Sequence, residues 1–85
     1  MLYAIKSATH GERYLQVPRT GGGWPVGVQT YVGTYEMFYM QIQSNGKVAF
    51  KSLKHKNYLH ANKDKKKLDT SSVADAYAQF TLVPV

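Results

Sequence analysis

An all-β fold is what this sequence predicts, from three observations. Apolar and polar residues alternate over short runs, helical periodicity is poor throughout, and one strand-rich pattern of about 40 residues occurs twice. Tyr3-Ala4-Ile5-Lys6-Ser7 reads against Val48-Ala49-Phe50-Lys51-Ser52. A His follows at the same offset in each copy, His10 and His55, then a Tyr-Leu pair, Tyr14-Leu15 and Tyr58-Leu59. Further on, Tyr35-Glu36-Met37-Phe38-Tyr39-Met40 aligns with Tyr77-Ala78-Gln79-Phe80-Thr81-Leu82. Length differences fall in turns, where insertions are tolerated.

Taken in order, each copy predicts a strand, a polar turn around its His, a second strand at Tyr-Leu, a longer loop, and a last strand opened by an aromatic. The loop of the first copy carries Gly21-Gly22-Gly23-Trp24-Pro25, a glycine run expected to be mobile. Segment 71–79 is the most helix-like stretch, and it is too short and too poor in apolar periodicity to be more than a turn. The chain is therefore expected to be a single domain, residues 1–85, of two repeat units, 1–43 and 44–85.

The junction between the units fixes a register. Phe38, Met40 and Ile42 must share a face with Val48 and Phe50, because a slip of one residue would turn a whole face to solvent. A two-residue Asn45-Gly46 loop would turn Phe50 outward. A three-residue loop, Ser44-Asn45-Gly46, pairs Ile42 with Val48 and Met40 with Phe50, with Gly46 left-handed after a type I turn.

Composition bounds the rest. A chain of 85 residues with 44% hydrophobic residues, seven Tyr, three Phe and one Trp has the apolar material for one small core. No cysteine is present, which excludes a disulfide framework and a Cys-ligated zinc site. No run approaches the ~20 apolar residues of a membrane span, so a soluble, cytoplasmic protein is expected. Five carboxylates lie scattered among turn-like segments, and the glycine run lacks the Lys-Ser/Thr of a phosphate loop. No catalytic residue, cofactor or metal is expected.

The net charge is +6, and nearly all of it comes from the second half. There Lys47, Lys51, Lys54, Lys56, Lys63, Lys65, Lys66 and Lys67 face only Asp64, Asp69 and Asp75, a balance that suits a polyanionic partner.

The stretches His10-Gly11-Glu12-Arg13-Tyr14-Leu15 and 51–61, together with Phe80-Thr81-Leu82, resemble the repeat of fascin-like β-trefoil proteins: an apolar strand with Lys-Ser, a His-Gly-Lys-like turn, Tyr-Leu, and later a Phe-Thr-Leu strand. The resemblance implies a barrel closed by three such units, so two leave an open edge that a second copy or a partner must cover. It also implies a binding function, since fascin-like trefoils bind actin filaments, trefoil growth factors bind sulphated glycans and trefoil lectins bind sugars. The Gln-x-Trp of ricin-type lectins is absent here.

Candidate site residues follow from chemistry. Lys54, His55 and Lys56 in one loop, and Lys63, Lys65, Lys66 and Lys67 in the next, flank the strand 58–61 and are expected to form one basic patch, with His60 nearby. Lysines would contact phosphate, sulphate or carboxylate arrays without the bidentate geometry of arginine. Trp24 offers a stacking surface for a sugar, a base or a partner side chain, or else folds back over an open barrel end, and Arg19 offers it a polar neighbour. Tyr3, Tyr14, Tyr35, Tyr58 and Tyr77 fall on repeat positions, and most are expected to be core or barrel-layer residues with the hydroxyl at the rim, whereas Tyr31 and Tyr39 have no counterpart and are candidate surface contacts.

The expected function is a non-catalytic binding module for an anionic polymer or filament surface, actin-like or a sulphated glycan. Nucleic acid is a weaker candidate of the same charge class. The alternatives are a lectin-like glycan module centred on Trp24 and a structural protein that assembles as a homo-oligomer.

Overall fold

The computed structural model describes residues 2–6, 13–62, 64 and 67–84. Among the described residues it is all-β, with seven strands and no α-helix. These are β1 (Leu2–Tyr3), β2 (Tyr14–Gln16), β3 (Gly27–Gln29), β4 (Phe38–Ile42), β5 (Val48–Ser52), β6 (Tyr58–Asn62) and β7 (Lys67–Ser71). Two single 3-10 turns, Thr34–Glu36 and Ala76–Ala78, stand ahead of β4 and ahead of Phe80. Five strands form one antiparallel sheet in the order β1-β4-β5-β6-β7, and β2 pairs with β3 in a second. The sheets do not close into a barrel.

Aligned residues of the two copies hold corresponding register positions. Tyr3 pairs with Phe38 as Val48 bridges Phe80, and Lys6 bridges Tyr14 as Lys51 pairs with Tyr58. Tyr14 then lies opposite Gln29 as Tyr58 lies opposite Ser71. Both 3-10 turns are fixed by a carboxylate, though from opposite ends. Glu36 Oε1 accepts the Gly33 N–H at 2.8 Å, and Asp75 Oδ1 accepts the Tyr77 N–H at 3.0 Å. His10 lies outside the described residues.

The central hairpin has the register its apolar pattern demands, with Met40 opposite Phe50 and Ile42 opposite Val48. Gly46 donates to the Gln43 carbonyl at 3.0 Å, the Gln43 N–H donates to the Lys47 carbonyl at 2.8 Å, and Gly46 has φ of 82°. This is the expected type I turn followed by a left-handed glycine. Ile42 departs from the expectation. It is 76% exposed, because the hairpin end projects past the core that Phe38 and Val48 bury.

That core is small. Val17, Phe38 and Leu59 are fully buried at its centre, with Ile5, Leu15, Val26, Phe50 and Phe80 only partly covered around them. The repeat tyrosines are not in it: Tyr3, Tyr35 and Tyr77 are exposed, and Tyr14 and Tyr58 half-buried. A phenolic hydroxyl needs a partner when buried, and half-buried Tyr58 donates its own to Gln41 Oε1 at 3.4 Å.

Candidate anion-binding face

The turn between β5 and β6 is organised by Ser52, which is fully buried. Its Oγ accepts the His55 N–H at 3.1 Å, its carbonyl accepts the Lys56 N–H at 3.0 Å, and its N–H donates to the Asn57 carbonyl at 2.7 Å. Closing so tight a turn forces Lys56 into the left-handed region at φ of 61°, the only non-glycine residue there among those described. A side chain in that conformation costs about 1 kcal/mol. Lys54 and Lys56 are presented to solvent from this turn.

Asn57 joins this turn to the glycine loop. Its Nδ2 donates to the carbonyls of Arg19 and Gly21, both at 2.8 Å. The loop is held again further on, where Gly23 N–H donates to the Thr70 carbonyl at 2.7 Å and Trp24 N–H to Thr70 Oγ1 at 3.1 Å. Gly21 and Gly23 take φ of 86° and 78° to make these bonds. The glycines therefore shape a fastened loop along the edge of β7, and the expected mobile loop is corrected. Trp24 is 40% exposed and does not plug the fold. The Arg19 guanidinium lies 4.6 Å from its ring centroid, so one ring face already carries a cation.

A row of side chains crosses one face of the sheet next to this turn. Tyr39 on β4 is opposite Lys51 on β5, which is opposite Tyr58 on β6. Lys51 Nζ lies 5.8 Å from the Tyr58 ring and Lys56 Nζ 5.6 Å from the Tyr39 ring. Tyr39 is half-buried, unlike exposed Tyr31, and works as a seat for a lysine.

Two histidines proposed from sequence are structural in their contacts. His55 stacks on Tyr35 with centroids 5.1 Å apart and planes at 16°, and its Nε2 is buried without a partner. His60 Nδ1 is 2.7 Å from Asp69 Oδ1, while Asn62 donates to Asp69 Oδ2 at 2.9 Å. Asp69 is buried, and a second carboxylate, Asp75, stands 3.9 Å from His60 Nε2. Acidic neighbours on both sides make His60 a poor contact for an anion.

Lys67 does not join Lys54 and Lys56 in one patch, because the five residues of β6, ~15 Å long, lie between them. Lys67 starts β7 at the far end, opposite Asn62. Lys63, Lys65 and Lys66 lie outside the described residues. What the structure does join is the backbone of the Arg19–Gly21 loop to the turn of Lys54 and Lys56, through Asn57, two segments that sequence spacing assigned to separate regions. No group of three or more His, Cys, Asp or Glu suited to a metal occurs among the described residues, and no helix is long and apolar enough to cross a membrane. No family model and no curated protein matches the chain.

Proposed function

We propose that this chain is a non-catalytic module that binds an anionic polymer through Arg19, Lys51, Lys54 and Lys56. The observation that carries the reading is the turn that Ser52 closes, which presents Lys54 and Lys56 to solvent and is followed by Asn57, whose amide holds the backbone carbonyls of Arg19 and Gly21. Cations held in place by aromatic rings and a strained turn lose less entropy on meeting sulphate, phosphate or carboxylate groups than lysines on a free loop. The Trp24-centred sugar reading is the weaker one, since Arg19 occupies one face of the indole.

The finer fold reading belongs to the same proposal: two trefoil-like units, repeated in register, whose open edges are completed by further copies of the chain. Support comes from the paired register positions of Tyr3 and Val48, Lys6 and Lys51, and Phe38 and Phe80.

Heparin binding followed across a salt series tests the binding reading. Arg19→Gln, Lys54→Gln and Lys56→Gln combined should weaken binding at least about tenfold and flatten its salt dependence, while Lys67→Gln at the far end of the hairpin changes little. Unchanged affinity in the triple variant refutes it.

A further inference from the structure

We infer that the strand entered by Phe80 pairs, in a second copy of the chain, with the outer edge of the segment 3–5, in the register that β4 uses on β5. The inference rests on the two-unit reading and not on anion binding. Strand β5 is paired along both edges, by β4 on one side and by β6 and Phe80 on the other. Among the described residues its counterpart, 3–5, shows the second set only: Phe38 opposite Tyr3, with Tyr14 opposite Lys6 just beyond. β1 is an end strand of the sheet. What 3–5 lacks among the described residues is the equivalent of β4, and the residues equivalent to Phe38–Ile42 are 80–84.

The second vacancy fits the first. Phe80 exchanges both backbone bonds with Val48, at 2.7 and 2.8 Å. Along an extended strand these groups alternate in direction, so those of Thr81 and Val83 point away from Val48. Carried over from β4 and β5, the register sets Val83 against Ala4, where bonds are exchanged, and Leu82 against Ile5 and Pro84 against Tyr3, where they are not. Pro84 has no N–H to donate, and it falls at a position that needs none on that edge.

Apolar exposure marks the same two edges. Leu82 and Val83 are 59% and 72% exposed, and Leu2 and Tyr3 are exposed on the other side. In the inferred register Leu82 covers Ile5, which packs only partly buried against the core. The contact is head-to-tail, joining different surfaces of the two copies.

Light scattering coupled to size exclusion over a range of concentrations tests this. The wild-type chain should run as an oligomer, and Val83→Pro and Ala4→Pro should each be monomeric. Mixed in equal amounts, the two variants should restore a dimer but nothing larger, because one keeps an intact head and the other an intact tail. As a readout that tolerates a weakened fold, Ala4→Cys with Val83→Cys, in a chain that has no other cysteine, should give a ladder of linked species with a short bis-maleimide. A wild-type monomer at every concentration, an oligomer that survives both proline variants, or a double-cysteine chain that links only within itself overturns the inference. Loss of heparin binding with the oligomer intact would refute the anion-binding reading alone.

Discussion

Asn57 donates to the carbonyl of Arg19 at 2.8 Å across a sequence separation of 38 residues, and the same amide reaches Gly21. One buried side chain thus ties the turn of the second unit to the Trp24 loop of the first, alongside the bonds of Gly23 and Trp24 to Thr70. Asn57→Ala should cost about 1–3 kcal/mol, since it strips the bonds from two loop carbonyls and leaves a gap where the amide packed. The emission of Trp24, the only tryptophan, should shift as its loop loosens. Thermal unfolding and fluorescence check both, and a variant with unchanged stability and emission would show that the loop is held by other means.

Lys56 is strained by its turn and placed over Tyr39 by the same geometry. Lys56→Gly should therefore stabilise the fold, by about 0.5–1 kcal/mol, while weakening heparin binding. Lys56→Ala should weaken binding without the gain in stability, because alanine keeps the penalty of the left-handed conformation. Urea unfolding of the three proteins gives the order directly.

His60 and Asp69 face each other across β6 and β7, at 2.7 Å. His60→Ala should lower stability by about 1–2 kcal/mol through the bond that buried Asp69 loses, and leave heparin affinity unchanged. A variant of full stability with weakened binding would return His60 to the site.

Local patterns in the sequence were enough for the all-β class and the central register, but not for β3 and β7, which form inside the segments read as long loops. The alternation around Ser44-Asn45-Gly46 allowed one hairpin that buried Phe38 and Val48 together, and that hairpin forms. The site was less readable. Spacing placed Lys67 beside Lys54–Lys56, yet β6 lies between them, with Lys67 opposite Asn62 at the end away from the turn. Nothing local joins Arg19 to Lys56, since the link is a hydrogen bond of long sequence separation made by a residue type common in turns. His60 looked available because its carboxylate partner, Asp69, is a cross-strand neighbour rather than a sequence neighbour.

Phe38 should be the costliest aromatic to lose. It is fully buried at the centre of the cluster with Val17 and Leu59, while Phe50 and Phe80 lean on each other at 5.9 Å and stay partly exposed. Sequence position alone marks Phe50 and Phe80 as core residues. Burial puts Phe38 above both. Phe38→Ala should cost about 3–5 kcal/mol, enough to unfold a domain with so small a core, whereas Phe50→Ala and Phe80→Ala should cost clearly less because water already reaches those rings. The difference should narrow if copies pair as inferred, since Leu82 of a second copy would deepen the cover on that side of the core. Unfolding of the three variants at low and high protein concentration therefore measures the core and its completion together: a concentration-independent ranking places the whole effect within one chain, and a cost for Phe50→Ala or Phe80→Ala that grows with concentration ties those rings to the contact between copies.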